Sequence, residues 1–373
     1  MKFSQVIGQA KIKQQLIQAV KNNRISHAQL FLGPEGSGNL ALALAYCQYI
    51  VCDNRTDEDS CGACPSCKKI STHQFADLHF TFPIFNIPKV EPLSDMHLAV
   101  WRKTLARSAY FDAAYWREQI NGENKQLLIA VKEAVAIVKK LSLKSYEGGY
   151  KFSLIWLPEV MKATVSNKLL KIIEEPPDKT IFLLVSNSTE RIPATILSRT
   201  QLIKIPKLRD EEMRSALIAR EGISSNNQIE QLVQMSNGNW FRAWLLTHEG
   251  EDQRLEVFIE WMRLCYAKDV VGFLKWAQSR HDSGREHMKQ FLDYALHMFR
   301  QCIVGNYSGH QLSRFGPKES EFASKFAPFI NEKNIIDLNA EVQKAHYDIT
   351  RNGYGKLVMF DLSLSIANSL KRR

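Results

Sequence analysis

The chain has 373 residues, of which 45% are hydrophobic and 24% charged. That balance excludes an intrinsically disordered chain, and the length exceeds what a single core sustains, so two or three domains are expected. The formal net charge of +10 admits a polyanion such as DNA as a partner but does not say which face attracts it.

No apolar run approaches the roughly 20 residues of a membrane span. Met1–Gln9 has neither the basic start nor the apolar stretch of a signal peptide, so a cytoplasmic protein with no membrane partner is expected. The cysteines number seven, an odd count, and four crowd into Cys52–Cys67. This argues against a disulfide framework.

His27–Leu32 reads as a buried strand, Gly33–Gly38 as a glycine loop and Leu40–Tyr46 as the start of a helix, the layout of a phosphate site. The loop Gly33-Pro-Glu-Gly-Ser-Gly-Asn-Leu40 has the glycine spacing of a Walker A loop, with Gly33, Gly36, Gly38 and Asn39 as candidate phosphate contacts. That motif needs Lys for the β/γ-phosphates and Ser/Thr for Mg²⁺, and Asn39 and Leu40 stand in those places. Two readings stay open, a turn that never meets nucleotide and a vestigial nucleotide site. Both rank ahead of catalysis, and ATP binding by this chain is doubtful.

Cys52, Cys61, Cys64 and Cys67 follow the spacing C-x8-C-x2-C-x2-C, which presents four thiolates to one tetrahedral Zn²⁺. The turn formers Gly62, Pro65 and Ser66 between them are unlike the apolar neighbours of core thiols. Four cysteines close the coordination shell, so a structural zinc is expected.

Asp77–Phe82 reads as another strand. The proline-punctuated, aromatic-rich stretch 83–123 lacks clear periodicity and reads as an insertion. Its Trp101, Tyr110, Phe111, Tyr115 and Trp116 are expected to pack onto the sheet rather than form a partner surface.

Alternation then resumes with helix Leu127–Leu141, strand Phe152–Leu157, helix Met161–Glu174, strand Thr180–Val185 and a short strand around Leu202–Ile205. This predicts an α/β fold with a parallel sheet and helices on both faces. At the end of Phe152–Leu157, Pro158 and Glu159 stand where a Walker B strand would place its Mg²⁺-binding Asp. The prolines of Glu174-Glu-Pro-Pro177 end a helix for backbone reasons, so a structural role is expected there.

From Asp210 onward amphipathic segments dominate: Asp210–Arg220, Ile229–Met235, Phe241–Leu246 and Leu255–Leu264. A polar break at Glu249–Asp252 is the expected boundary between a small helical segment and a larger helical domain.

Taken in order, Ser26-His-Ala-Gln-Leu-Phe-Leu-Gly-Pro-Glu-Gly-Ser-Gly38, the four cysteines, Asn167-Lys-Leu-Leu-Lys-Ile-Ile-Glu-Glu-Pro-Pro177 and Ile192-Pro-Ala-Thr-Ile-Leu-Ser-Arg-Thr200 resemble bacterial clamp-loader subunits of the AAA+ type. The resemblance covers about residues 3–206 and reaches the helical remainder only through order and length. It implies a RecA-like AAA+ domain over 1–206 carrying the zinc module (52–67) and the insertion (83–123), a helical lid over 207–250 and an all-α collar over 251–373.

Within that family the gamma and tau motors keep the Walker A Lys-Thr and an Asp-Glu Walker B. Asn39, Leu40 and Pro158 make this chain look instead like the delta-prime type, which retains the zinc module and lacks ATPase residues. The resemblance implies gamma/tau and delta subunits as partners in a hetero-pentamer of a DNA polymerase holoenzyme. The sliding clamp and primed DNA would be met through that complex.

Ser198-Arg199-Thr200 resembles the family's Ser-Arg-Cys motif, whose arginine reaches the γ-phosphate of ATP on a neighbouring motor. This makes Arg199, with Ser198, the candidate catalytic pair acting in trans. An always-charged guanidinium suits charge developing on a transferring phosphoryl group. The competing reading is a surface arginine capping the preceding helix.

Thr200 replaces the motif's cysteine, and Asn187 is polar where the motors have a polar sensor residue. Asn237-Gly-Asn-Trp-Phe-Arg242 resembles the second sensor region with Phe241 in the arginine's place, so Arg242 is assigned no nucleotide contact. Two other functions compete: an ATP-hydrolysing gamma/tau-type motor, and a zinc-dependent DNA-binding protein. No recognition helix flanks the cysteines to support the latter.

Overall fold

The described residues form seven strands: β1 (Ala28–Leu32), β2 (Leu78–Thr81), β3 (Ile84–Phe85), β4 (Leu127–Leu128), β5 (Lys151–Trp156), β6 (Thr180–Ser186) and β7 (Gln201–Lys204). The computed structural model describes residues 1–86, 92–122, 125–248, 254–308, 317–351 and 353–370. It divides into one unit of Met1–Ile223 with Gly238–Trp244 and a second of Ser224–Asn237 with Leu245–Arg373. The polar break expected at 249–252 lies outside the described residues.

In the first unit five strands make a wholly parallel sheet in the order β2-β5-β6-β1-β7. Every residue of β5 and β6 is buried, as continuous apolar runs must be when a parallel sheet is covered on both faces. The register sets Leu30 opposite Leu184 and Ile155 opposite Leu184 on the other side of β6.

The sheet's helices are α1 (Ala10–Lys21), α2 (Asn39–Val51), α3 (Pro65–Ser71), α4 (Leu98–Arg107), α5 (Ala113–Gln119), α6 (Val131–Ser142), α7 (Ala163–Glu174), α8 (Ala194–Leu197) and α9 (Asp210–Glu221). Alternation along β1 sorts them. Ala28 and Leu30 join a core with Ile137 and Leu141 of α6 and Val165, Leu169 and Ile173 of α7. Gln29 and Phe31 point the other way, where Phe31 meets Tyr46 of α2 at 6.2 Å between rings and Gln29 Nε2 donates to the Tyr46 hydroxyl. Helix α2 is apolar on all sides and buried from Asn39 to Ile50, the fate of a helix without a polar face.

Two local expectations are corrected. Leu127-Leu128 does not begin the helix: it forms β4, antiparallel to β3 with Leu128 opposite Ile84, and the helix starts at Val131. A short apolar run reads equally as strand or helix until a partner strand decides it. The insertion carries regular structure in its described part, α4 and α5, and its aromatics are buried as expected. The fully buried Trp101 ring stacks on Phe82 at 4.3 Å and meets Trp116 and Phe111 edge-on at 5.1 and 5.3 Å. The Trp116 indole N–H donates to the Pro83 carbonyl at 2.7 Å, which ties α5 to the first residue of the insertion.

The helices after α9 are α10 (Asn226–Ser236), α11 (Trp240–His248), α12 (Arg254–Ala267), α13 (Val270–Asp282), α14 (Arg285–Ser308), α15 (Pro317–Phe326), α16 (Ile335–Thr350) and α17 (Gly355–Ser369). The regular elements among the second unit's described residues are all helices, which matches the loss of strand signals after Asp210. Its core holds Phe258, Trp261, Trp276, Phe291 and Phe299. Trp261 and Trp276 stack at 5.4 Å, and the Trp261 indole N–H donates to Ser363 Oγ at 2.9 Å. Among the described residues no helix is long and apolar enough to cross a membrane.

Candidate functional site

All five strands being parallel, their carboxyl ends lie along one edge of the sheet. Gly33, Leu157 to Glu159, Asn187 and Ile205 directly follow β1, β5, β6 and β7 at that edge, where open α/β sheets place ligands.

The glycine loop takes the shape its sequence requires. Gly36 and Gly38 have φ of +70° and +92°, a region costly for a residue with a Cβ. A side chain at Gly36 would collide with Asn239, and one at Gly38 would stand 3.0 Å from the Tyr110 ring. Trp240 N–H donates to Gly36 O at 3.2 Å, and the buried Gln9 amide donates to Ser37 O at 3.1 Å and Pro206 O at 2.7 Å. The outer face of the loop is therefore packed by this chain's own residues.

Asn39 opens α2 where a motor would carry its lysine. Its side chain turns back and donates to Gly33 O (3.2 Å), Ser186 O (3.3 Å) and Asn187 Oδ1 (3.2 Å), while its own oxygen accepts from Leu40 N–H at 2.8 Å. Leu40 is buried. Asn187 Nδ2 in turn donates to Glu35 Oε1 at 3.4 Å.

Beyond β5 the chain passes through Leu157, at φ +55°, into a 3-10 turn over Pro158–Val160. Glu159 accepts from Ser186 Oγ at 2.8 Å and from Asn187 N–H at 3.1 Å. Burial raises its carboxyl above the ordinary value, against the pull of those donors and of Arg191. Asn39, Asn187, Ser186 and Glu159 thus form one bonded network. Sequence reasoning missed this network because Asn39 and Asn187 are 148 residues apart and only the β6-β1 pairing brings them together.

The four-cysteine cluster is assembled as its spacing predicted. Cys52 follows the last residue of α2, Cys64 is the N-cap of α3 with Pro65 at its first turn, and Gly62 supplies a φ of +74° between them. The four sulfurs all lie within 4.8 Å of one another, with Cys61 and Cys67 at 3.9 Å. Zinc–sulfur bonds of about 2.3 Å in a tetrahedron separate sulfurs by about 3.8 Å, so the cluster could hold a metal ion.

Backbone N–H groups are aimed at these sulfurs. Cys64 and Ala63 donate to Cys61 Sγ at 3.3 and 3.4 Å, Cys61 to Cys52 Sγ at 3.2 Å, and Cys67 to Cys64 Sγ at 3.4 Å. The donors from Cys64 and Ala63 pull the Cys61 thiol down to about 6. Burial pushes Cys52 and Cys67 up, a penalty that a bound cation would reverse.

Arg199 follows α8, whose last turn is closed by Ser198 N–H on Ala194 O at 2.9 Å. Its Nε donates to Glu174 Oε2 at 2.9 Å, and its Nη1 to Thr195 O at 3.2 Å and Ser198 Oγ at 3.4 Å. A shallow groove lined by His27, Glu174, Ser198, Arg199, Thr200 and Gln201 surrounds it. The contact with Thr195 O agrees with a helix-capping arginine, while Glu174 is a partner the sequence did not suggest. Phe241, at the second sensor position, is buried against Tyr115 at 5.1 Å and stacked on Trp244.

A family model described as DNA polymerase III, delta subunit, matches residues 8–209, more than half of the chain. The chain belongs to the DNA polymerase III delta subunit family. Relatives of this family member include the tau subunit of Bacillus subtilis, 26% identical over 200 residues, covering 54% of this chain and 28% of that protein. The delta' subunit of the same organism is 24% identical over 241 residues, covering 62% of this chain and 60% of its own. The delta' subunit of Yersinia pestis is 28% identical over 187 residues, covering 50% and 43%. The chain thus spans less than two thirds of the length of each of these relatives. Membership of the DNA polymerase III delta family bears out the clamp-loader resemblance seen in the sequence.

Proposed function

We propose that this chain is a delta-prime-type stator of a clamp loader, acting in the cytoplasm. In this reading residues 1–206 form an AAA+ domain of RecA type, 207–250 a lid and 251–373 a collar that joins gamma/tau and delta subunits in a hetero-pentamer. The chain hydrolyses no ATP itself. It lends Arg199 to ATP held by a neighbouring gamma/tau motor, whose turnover drives the sliding clamp onto primed DNA.

The observation that carries this reading is the bonding of Asn39. The amide at the lysine position is spent on Gly33 O, Ser186 O and Asn187 Oδ1, so the loop offers no cation to a β/γ-phosphate. The motor reading would need that amide and Pro158 to serve in a working site. Arg199, by contrast, lies in an open groove and presents a planar guanidinium. In trans it would stabilise the charge on the transferring phosphoryl group, a contribution of about 10³- to 10⁵-fold in related systems.

Cys52, Cys61, Cys64 and Cys67 would hold a structural Zn²⁺, whose four thiolate ligands leave no position for water. The deciding experiment is steady-state ATPase of the complex assembled with cognate motor, delta, clamp and primed DNA, using wild type or Arg199→Ala. Loss of turnover with assembly intact supports the stator. Unchanged turnover removes Arg199 from the reaction, and turnover by the isolated chain restores the motor.

A further inference from the structure

Glu174 is the last residue of α7, an unfavourable place for an acid, because the exposed carbonyls of a helix C-terminus favour cations. The helix stops there because Pro176 biases the residue before it away from helical backbone, and Glu175 accordingly adopts φ −123° and ψ 71°. A stop signal needs only the prolines. The acid at 174 is not explained by the backbone.

Its carboxylate accepts the Nε proton of Arg199 at 2.9 Å. On the adjacent side of the guanidinium, Nη1 is held by Thr195 O at 3.2 Å and Ser198 Oγ at 3.4 Å. A guanidinium has five N–H donors in one plane. Two of its three nitrogens are thus engaged by groups from different elements, α7 on one side and the α8 turn on the other, which fixes both the direction and the roll of the plane. Among the described residues the third nitrogen, Nη2, makes no hydrogen bond, and it is the one left to meet an incoming ligand. A long side chain with many rotamers is held in one orientation before any ligand arrives.

We propose that Glu174 is a positioning residue for Arg199, holding its guanidinium in the plane and direction from which Nη2 meets the phosphate of a neighbouring subunit's nucleotide. The inference rests on the reading of Arg199 as the trans-acting arginine and adds the acid that orients it. What Glu174 supplies is an acceptor for Nε–H. Its negative charge works against phosphate approach, so the neutral isostere should serve as well or better. An acid that merely restrained the arginine would give the opposite result, since its removal would free Arg199 and raise turnover.

The test is motor ATPase in the complex assembled with gamma/tau, delta, clamp and primed DNA, carrying this chain as wild type, Arg199→Ala, Glu174→Ala, Glu174→Gln or the Glu174→Ala/Arg199→Ala pair. Assembly is checked by size exclusion, and kcat and KM are taken separately. Misplacing a reacting group by about 1 Å can cost up to about 100-fold, so Glu174→Ala should lower kcat about tenfold with KM for ATP little changed. Glu174→Gln should restore it, and the double variant should match Arg199→Ala alone.

Full kcat in Glu174→Ala beside a large loss in Arg199→Ala would overturn the positioning role and leave the stator standing. A Gln variant as poor as the Ala variant, or a gain on removing the acid, would also overturn it. No loss in Arg199→Ala would remove the stator reading and this inference together.

Discussion

Asn39 Nδ2 donates to Asn187 Oδ1 across 3.2 Å, joining the first residue of the helix after the glycine loop to the residue just beyond β6. Gly33 O and Ser186 O are further acceptors of the same amide, and Glu159 is bound to the Asn187 backbone. A polar network in this position ties the sheet edge together.

Two consequences follow for variants at this edge. Asn39→Ala takes its side-chain donor from the buried Gly33 carbonyl, while Ser186 O keeps the Gly33 N–H, and should cost about 1–3 kcal/mol in urea unfolding. Asn39→Lys combined with Leu40→Thr restores the missing side-chain types but should not produce turnover in the isolated chain, because Glu159 stays bound to Ser186 and Asn187 and Pro158 still replaces the acid. ATP hydrolysis by that double variant above the wild-type background would show that the side-chain types alone were limiting.

The zinc proposed for the four-cysteine module should show itself in composition and in stability. Elemental analysis of the purified chain should find one zinc, and Cys64→Ser should abolish it and lower Tm. Cys64 is both a sulfur donor and the N-cap of α3, and Asp59 in the same module accepts Phe3 and Ser4 N–H at 2.9 Å. The loss should therefore free the N-terminal segment and open Arg55, Lys68 and Lys69 to trypsin. A Cys64→Ser variant with wild-type Tm and proteolysis would refute a structural metal.

The strands β5 and β6 could be read because Leu154–Trp156 and Ile181–Val185 are apolar runs, and the cysteines because short loops of turn formers separate them. Helix α4 was hidden because Thr104 interrupts its buried stripe of Trp101 and Leu105, and α5 because seven residues make under two turns, too few to display a period. The site was legible as a set of residue types but not as a set of bonds. Asn39–Asn187 and Glu174–Arg199 depend on strand order and helix packing, which local sequence does not encode.

The aromatic insertion should behave as core. Trp101 is fully buried among Phe82, Phe111, Trp116 and Trp156. Trp101→Ala should cost about 3–5 kcal/mol and Trp101→Phe less, in proportion to the space left empty. The check is the urea midpoint at unchanged slope. A midpoint shift below about 1 kcal/mol would mean that this cluster contributes little to the fold.

His73 should set part of the acid sensitivity. Its ring is buried at the end of α3, edge-on to Phe80, and Nδ1 has no hydrogen-bond partner among the described residues. Burial, then the positive charges of the N-terminal amine and Arg102, lower its pKa from 6.5 to about 4. The folded value lies below the unfolded one, so above pH 6.5 the imidazole is neutral in both states. As pH falls the unfolded chain takes up the proton first, and stability drops by about 1.4 kcal/mol per pH unit until the folded pKa is reached. Between pH 7 and pH 5 the loss should be about 2 kcal/mol. His73 sits at φ +57°, a region Asn tolerates, so His73→Asn removes the titration without straining the backbone. Urea unfolding at the two pH values should give a difference about 2 kcal/mol smaller for His73→Asn than for wild type. Equal differences would mean that other groups carry the acid response.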